Sequence, residues 1–248
     1  MDNEQYRNLI WHLLYTESLM ENLGESIIAE NCKCPICKSK FRVYLPAGET
    51  LRPNALCPKC YSLERHRALW LLMQQLNWHK ENMRVLHFAP EPIFYQLFSS
   101  FKDIDYWSVD LNPNMFGVRK AVDITNITFD DNSFDLIICN HVLEHIPDDR
   151  KAMRELYRVL KRDGLAFLNV PLFNTPTTFE KPEINTPELR LKYYGQADHV
   201  RAYGQDYPQR LGAAGFNVQL FTMEDTDEKT LRRYGLDKNE KIFLCRKE

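Results

Sequence analysis

Glycine is scarce in this chain where a nucleotide-binding turn would need it. Only 9 of the 248 residues are glycine, and the turn that follows the apolar segment 83–88, "VLHFAPEP" over residues 85–92, contains none. A turn that wraps around a pyrophosphate is rich in glycine because its backbone amides must approach the phosphates closely. The strand–turn–helix setting is nevertheless that of a cofactor loop, so the sequence leaves open what this turn binds.

Other absences narrow the class of protein. No apolar run approaches the roughly 18 residues of a membrane span, and the N-terminus, "MDNEQYRNLI", has no basic region followed by an apolar one. We therefore expect a cytoplasmic protein with no membrane partner. With 44% hydrophobic and 27% charged residues, the composition is that of a soluble globular protein, and the length suits one α/β domain plus a small addition.

Five of the seven cysteines lie between residues 32 and 60. Two of the pairs have the same spacing, Cys34-Pro-Ile-Cys37 and Cys57-Pro-Lys-Cys60. A CxxC turn presents two sulfurs to one ion, and two such turns complete a tetrahedral zinc site with no open position, which predicts structural zinc. Disulfides or redox-active thiols are the alternative, and a reducing cytosol disfavours them. Cys32 lacks the matching spacing, while Cys139 and Cys245 fall in apolar strand patterns and are expected to be buried.

The cysteine-rich segment is basic although the chain as a whole carries a net charge of −2. Residues 31–70 contain only two acidic residues, Glu49 and Glu64, against eight basic ones, which gives a net charge of +6 before any thiolate is counted. The basic residues are Lys33, Lys38, Lys40, Arg42, Arg52, Lys59, Arg65 and Arg67. Such a segment is a candidate for binding a nucleic-acid backbone.

The pattern along the chain predicts three parts: an N-terminal helix within 1–30, a four-cysteine zinc ribbon with a linking helix over 31–80, and an α/β domain over 81–248. The linking helix is expected to begin after Ser62 as its N-cap. From Met83 onwards, strands alternate with helices, which predicts a mostly parallel, Rossmann-like sheet. One helix is expected over "DDRKAMRELYRVLK", capped by Asp148 or Asp149 and closed by Asp163-Gly164, and residues 172–200 are expected to be irregular.

Polar residues follow the predicted strands at the edge where such sheets bind ligands. His87, Ala89, Pro90 and Glu91 follow the first strand, and Asp110 ends the second. A carboxylate at the end of the second strand suits a ribose diol, because it can accept hydrogen bonds from both hydroxyls.

From about Met83 to Lys247 the chain resembles the class I S-adenosylmethionine-dependent methyltransferases, with a type 11-like domain. The most specific segment is "AVDITNITFDDNSFDLIICNHVLEHIPDDRKAMRELYRVLKRDGLAFLNVP". The resemblance implies a seven-stranded sheet whose last strand, "KIFLCRK", is antiparallel. It also implies a cofactor site in which Asp110 and Leu111 contact the ribose side, Asp123 and Ile124 the adenine, and Asn140 and His141 the methionine end.

The first motif departs from the family, because His87 stands where an acid is usual and Ala89 and Glu91 stand where glycine is usual. S-adenosylmethionine has no pyrophosphate and instead carries an ammonium, a carboxylate and a sulfonium. Fewer backbone donors are then needed, so prolines are tolerable. Glu91 is expected to meet the positive charge of the cofactor in place of an acid at position 87.

A hydroxyl or amine acceptor needs a base to remove its proton. His145 and His199 are the candidate catalytic residues, although either can equally serve only to fix its loop. Tyr193, Tyr194, Arg201 and Tyr203 are candidate substrate contacts.

Three functions remain open on sequence grounds. The first is methylation of a small molecule or glycan, such as a sugar hydroxyl, and we favour it because the rest of the chain is acidic. The second is methylation of RNA gripped by the basic ribbon. The third is a non-catalytic binding protein whose cofactor loop has degenerated.

Overall fold

The computed structural model describes residues 31–48 and 51–247. The expected N-terminal helix lies outside these residues. The chain divides into two compact units, one formed by residues up to Leu76 together with Met223–Glu240, and the other by Asn77–Thr222 together with the C-terminal residues from Lys241. In the part of the chain that is described, no helix is both long enough and apolar enough to cross a membrane.

The helices and strands alternate along most of the chain. In order they are β1 (Cys32–Lys33), β2 (Lys40–Phe41), β3 (Leu45–Ala47), β4 (Arg52–Leu56), α1 (Glu64–Gln75), β5 (Met83–Phe88), α2 (Pro92–Ser99), β6 (Ile104–Asp110), β7 (Lys120–Ala121), β8 (Phe134–Asn140), a 3₁₀ turn (Leu143–His145), α3 (Asp149–Val159), β9 (Leu160–Asn169), α4 (Pro187–Tyr194), α5 (Tyr207–Gly212), β10 (Asn217–Thr222), α6 (Glu228–Tyr234) and β11 (Lys241–Arg246).

The larger unit is built on a seven-stranded sheet with the order β10-β11-β9-β8-β5-β6-β7. The strands from β9 to β7 pair in parallel, whereas β11 is antiparallel to both of its neighbours. The predicted α/β, Rossmann-like sheet with an antiparallel last strand is thus confirmed.

The central strands are almost entirely buried, which agrees with their apolar sequences. In β8, every residue except Asp135 is buried, and β5 is buried except for Arg84. Near-continuous apolar runs of this kind are typical of parallel strands that are covered on both faces. The chain order reverses between β5 and β8, and the crevice at the carboxyl ends of these two strands is the expected ligand site of such a sheet.

The boundary of α3 differs from the expectation at its C-terminal end. Asp148 caps α3 as predicted, since its side chain accepts a hydrogen bond from the Lys151 amide at 2.9 Å, but the helix ends at Val159. Asp163 and Gly164 lie inside β9, where the register with β8 shifts. Asp163 has a φ of +60°, and a Cβ on Gly164 would come within 2.8 Å of the Lys161 carbonyl oxygen, so this Asp-Gly pair forms a bulge and not a helix end.

Three further differences concern helices. Leu63, not Ser62, is the N-cap of α1, and its amide donates to Nδ1 of His66 at 3.1 Å. The segment 172–200, expected to be irregular, contains α4, which begins after the Thr186 cap and ends at Gly195 in a left-handed conformation. The short helix α6 was not anticipated; its cap is Asp227.

Candidate active site and metal centre

A cleft of about 400 Å³ opens at the carboxyl ends of β5, β6 and β8. It contains six of the residues that the sequence assigns to a cofactor, and His145 lies in its wall. The remaining lining residues are mostly apolar. The complete lining is Phe88, Ala89, Asp110, Leu111, Met115, Val122, Asp123, Ile124, His141, Val142, His145, Ile146 and Asp198.

Two carboxylates in this cleft are fixed by the backbone that follows them. One oxygen of Asp110 accepts from the Asn112 amide at 2.8 Å, and one oxygen of Asp123 accepts from both the amide and the hydroxyl of Thr125 at 2.8 Å. Such turns orient each side chain at little entropic cost. In each case the second carboxylate oxygen has capacity to accept a hydrogen bond from a ligand.

The turn without glycine adopts a conformation that glycine usually supplies. Ala89 has a φ of +46°, and its amide donates to the Val109 carbonyl at 2.9 Å. Glu91 is the N-cap of α2, and Pro92 occupies the first turn of that helix, where no amide hydrogen is required. The strained alanine thus keeps the turn that the family pattern demands.

His87 and Glu91 lie at the base of this turn and not in the lining of the cleft. His87 is fully buried, with Nδ1 2.9 Å from the Tyr106 hydroxyl and Nε2 3.6 Å from a carboxylate oxygen of Glu91. The side chain of Glu91 is 14% exposed. Pro90 and Asn140 are likewise buried behind the lining.

Asn140 links Glu91 to the neighbouring strands through a chain of amides. Its Nδ2 donates to Glu91 at 3.0 Å, and its Oδ1 accepts from Asn169 at 2.8 Å. Asn169 in turn accepts from the Phe243 amide at 2.8 Å. Because a backbone amide can only donate and a carboxylate can only accept, the two ends fix the orientation of both asparagines.

The two candidate catalytic histidines lie next to each other. The rings of His145 and His199 are 4.8 Å apart in an edge-to-face arrangement. Nδ1 of His145 is 3.3 Å from a carboxylate oxygen of Asp198, and Nδ1 of His199 is 3.0 Å from the Tyr194 carbonyl oxygen. His145 is partly exposed to the cleft, whereas His199 is buried.

Glu144 and Asp198 belong to this cluster, and sequence reasoning did not single them out. Asp198 directly precedes His199, so its position in "ADHV" was an available signal. Glu144 is an acid beside a buried leucine in "VLEH", and such an acid is unusual because carboxylates are rarely buried without a partner.

Three of the four candidate substrate residues are buried and bonded to other parts of the protein. Arg201 is 3% exposed and donates to the carbonyl oxygens of Leu143, Ile146 and Pro147, so it fixes the 3₁₀ turn that carries Glu144 and His145. The hydroxyl of Tyr203 donates to Asp149 at 2.6 Å. The structure therefore gives Arg201 and Tyr203 a supporting role.

Tyr193 and Tyr194 are neighbours in α4 but differ in solvent exposure. Tyr194 is fully buried, with its hydroxyl 3.0 Å from the Lys181 amide, whereas Tyr193 is 43% exposed to solvent.

Beneath the 3₁₀ turn, Asp149 is 2% exposed and accepts from Arg210 at 2.7 and 2.9 Å. Burial alone would raise the pKa of Asp149, but hydrogen bonds from Arg210 and Tyr203 and the charge of Arg201 outweigh it, so the pKa lies below its usual value.

In the smaller unit, the sulfurs of the two CxxC turns converge. The Cys34 and Cys60 sulfurs are 3.6 Å apart, those of Cys37 and Cys57 are 3.8 Å apart, and all four lie within 4.8 Å of one another. Four sulfurs at about 2.3 Å from one tetrahedral zinc ion would be about 3.8 Å apart, so this donor set fits the ion. Hydrogen bonds from Cys57 and Cys60 lower the pKa of Cys34, which favours its thiolate.

The two turns that carry these cysteines have the same geometry. The amides of Lys38 and Tyr61 donate to the carbonyls of Cys34 and Cys57, both at 3.0 Å, and both residues have a positive φ. The Ser62 hydroxyl lies 3.5 Å from the Cys34 sulfur and 3.3 Å from that of Cys60, where it can orient the ligands. Cys32 lies apart from the group, and its thiol donates to the Arg42 carbonyl at 3.4 Å.

Arg67 occupies the interior of the same unit. It is fully buried under the Tyr44 ring, 4.1 Å from the ring centroid. Its guanidinium donates to the carbonyl oxygens of Ser62, Ala55 and Tyr234, among others. The charge of Arg67 is therefore not part of the predicted basic surface. Its guanidinium instead links the ribbon, α1 and the end of α6 through these hydrogen bonds.

Comparisons with known proteins show that part of the larger unit is similar to methyltransferases. Residues 94–168 match the model of a family described as a methyltransferase domain. The chain is 51% identical over 39 residues to the uncharacterized methyltransferase YcgJ of Bacillus subtilis, which is 16% of this chain and 15% of that protein. It is 33% identical over 102 residues to the uncharacterized protein MJ0638 of Methanocaldococcus jannaschii, 36% of this chain and 44% of that protein. These matches span less than half the length of the curated relatives.

Solved structures agree on the fold. The crystal structure of YcgJ superposes with a TM-score of 0.50 at 20% identity, over 74% of this chain and 99% of that one. Phosphoethanolamine N-methyltransferase 2 of Haemonchus contortus, solved with S-adenosyl-L-methionine, gives a TM-score of 0.50 at 17% identity, over 73% of this chain and 52% of that one. Residues 94–168 therefore match a methyltransferase domain, and the sheet to which they contribute has the Rossmann-like fold of class I methyltransferases.

Proposed function

We propose that this protein transfers a methyl group from S-adenosylmethionine to a small molecule or glycan. The observation that carries the proposal is the pair of carboxylates, Asp110 and Asp123, each held by its own turn with one oxygen available in the cleft of a methyltransferase fold.

The residues of the cleft suit the three parts of the cofactor. Asp110 would accept from the ribose hydroxyls, and Asp123 from the adenine amino group, with Ile124 against the ring. The methionine end would meet His141 and, beneath it, the negative charge of Glu91. When bound, the cofactor supplies an electrophilic methyl group. The protein's part is to hold an acceptor atom in line, roughly 3 Å from that methyl.

We place the acceptor at the edge of the cleft that His145 forms. His145 is the one histidine of the 145/199 pair with its side chain partly open to the cleft, and His199 packs behind it. The exposed Tyr193, on α4, is the candidate substrate contact that stays available.

The contacts of the basic residues favour a small acceptor over RNA. Arg67 is buried, and the exposed Arg52 is paired with Glu64 at 3.2 Å, so Arg67 offers no charge at the surface and the charge of Arg52 is partly neutralised. Stacking of bases needs exposed aromatic rings, and of Phe41, Tyr44 and Tyr61 in the ribbon only Tyr61 is exposed.

We further propose that Cys34, Cys37, Cys57 and Cys60 bind one structural zinc ion in a reducing, cytoplasmic setting. Four sulfur ligands fill a tetrahedral sphere, so the ion would stabilise the smaller unit and take no part in the chemistry.

Calorimetry with S-adenosylhomocysteine tests the cofactor site. We expect binding by the wild-type protein and at least a tenfold loss in Asp110→Ala, with Asp103→Ala as the matched control because that acid lies just before the opposite end of the same strand. Absence of binding by the wild type would support a non-catalytic role instead. For the acceptor, a mobility shift with total RNA at physiological salt should show no complex; a stable, salt-sensitive complex would favour the RNA alternative.

A further inference from the structure

The turn beside the cleft contains a buried carboxylate without a hydrogen-bond donor. Glu144 is 1% exposed, and neither of its carboxylate oxygens has a hydrogen-bond partner. Nδ1 of His141 lies 3.5 Å from one of these oxygens. A carboxylate in this environment is costly unless a cation or a set of donors compensates its charge.

Two histidines lie where such a cation would be bound. Glu144, His145 and His199 each present one ligand atom within 4.8 Å of the others. Within the described residues, this is the one such cluster besides the four cysteines.

The surrounding contacts leave the same nitrogen of each histidine available. The Tyr194 carbonyl can only accept, so Nδ1 of His199 must carry the proton, and its Nε2 keeps the lone pair. The same argument applies to His145, whose Nδ1 faces the carboxylate of Asp198. Metal-binding histidines are typically oriented in this way, with the second nitrogen donating to a carbonyl or a carboxylate.

We propose that Glu144, His145 and His199 bind one divalent transition-metal ion at the edge of the methyl-donor cleft. Two imidazoles and one carboxylate favour Mn²⁺, Fe²⁺, Co²⁺ or Zn²⁺ over Mg²⁺ or Ca²⁺, which prefer oxygen ligands alone. Ligands at about 2.1 Å from a tetrahedral ion are about 3.4 Å apart, and the ligand atoms here lie within 4.8 Å of one another, so binding requires them to approach by at most about 1.4 Å. The partly exposed His145 has the freedom to do so.

Three protein ligands leave coordination positions open, and this gives the ion a role that rests on the proposed function. An acceptor hydroxyl bound there has a lowered pKa and can release its proton to water without a free histidine base. Its oxygen then bonds to the methyl carbon as the methyl–sulfur bond breaks. The electron pair remains on sulfur and gives the neutral thioether. The acceptor class implied is an oxygen nucleophile that binds a metal, such as a polyol or a sugar.

Titration with Mn²⁺ tests the site, because thiolates favour softer ions and the cysteine site is expected to keep its zinc. Full-length protein that metal analysis shows to contain one zinc ion per chain and no other transition metal should bind about one Mn²⁺ per chain, measured by calorimetry and by the loss of the free Mn²⁺ paramagnetic resonance signal. Glu144→Gln and His145→Gln should each weaken Mn²⁺ binding at least tenfold. His79→Gln, at a partly exposed histidine paired with Asp103, should leave it unchanged.

The wild-type result is decisive even if one variant fails to fold. Absence of Mn²⁺ binding, or equal affinity in both folded variants, would overturn the proposal. Binding of S-adenosylhomocysteine, measured separately, distinguishes this failure from failure of the proposed function: a protein that binds the cofactor but no Mn²⁺ is a methyltransferase that uses its histidines without metal.

Discussion

Glu91 offers the sharpest test of how a cofactor loop without glycine works. Its carboxylate accepts from Asn140 at 3.0 Å and lies 3.6 Å from Nε2 of His87. The amide oxygen of glutamine can still accept from Asn140, so Glu91→Gln removes the negative charge but preserves the chain of amides. The change therefore separates the electrostatic role of the residue from its structural one.

The expected loss follows from the charge of the cofactor. For a separation of about 6 Å between the carboxylate and the cofactor's ammonium, Coulomb's law gives roughly 3 kcal/mol at an effective dielectric constant of about 20. Since the side chain is partly exposed, we expect about half of this, a loss of roughly tenfold in affinity. Folding stability should change by less than about 1 kcal/mol, because the hydrogen bond is retained.

Pro92→Ala is the matched control in the same turn. Pro92 stiffens the start of α2 but carries no charge, so its loss should cost about 0.5–1 kcal/mol of stability and leave cofactor affinity nearly unchanged. Calorimetry with S-adenosylmethionine and S-adenosylhomocysteine, together with thermal unfolding, measures both quantities. An equal loss for both ligands assigns Glu91 to the ammonium, and a larger loss for S-adenosylmethionine assigns it to the sulfonium. If Pro92→Ala weakens binding more than Glu91→Gln does, the electrostatic explanation is refuted.

Three further predictions concern zinc content and stability. Cys57→Ser should lower the zinc content by about one ion per chain relative to the wild type, measured by atomic emission; unchanged content would contradict the proposed cysteine site. Asp149→Asn should destabilise the protein by about 3 kcal/mol at pH 7, because it leaves Arg210 short of its buried acceptor. The pKa of Asp149 is lowered in the folded protein. Its contribution to folding stability is therefore complete above about pH 4 and is lost as the pH falls through the folded pKa. The free energies of unfolding of wild type and variant, measured by urea titration, should converge in acid; a difference that stays constant with pH would refute this. Ala89→Gly should raise stability by about 0.5 kcal/mol, because relief of the left-handed conformation exceeds the added chain entropy; a lower midpoint of thermal unfolding would show that Ala89 is not strained.

The parts of the fold that depend on local pattern could be predicted. The apolar runs of β5 and β8 and the polar residues that follow them are visible in the sequence, and they predicted both the parallel sheet and most of the cleft lining. The cysteine spacing likewise predicted which four sulfurs converge. These features repeat or alternate at fixed intervals, so a single sequence is enough to find them.

The roles of the buried arginines could not be predicted in this way. Arg67 was interpreted as part of a basic surface and Arg201 as a substrate contact, because arginine is rarely buried. Each is instead surrounded by backbone carbonyl oxygens from segments that are distant in sequence, Arg67 from residues up to 168 positions away. No local pattern indicates which carbonyls are left without donors after folding, and the same holds for the unpartnered carboxylate of Glu144.

The turn "VLHFAPEP" shows that a conformation typical of glycine can be adopted without glycine. The match to the methyltransferase domain model begins at residue 94, after this turn. Yet Ala89 has the left-handed φ of a glycine, and its amide is bonded to the end of β6. Proline at position 92 restricts the chain that follows, which reduces the entropy that the turn loses on folding. A ligand without a pyrophosphate requires the shape of this turn but few of its amides, and therefore the shape can be maintained by a strained alanine and a proline instead of glycine.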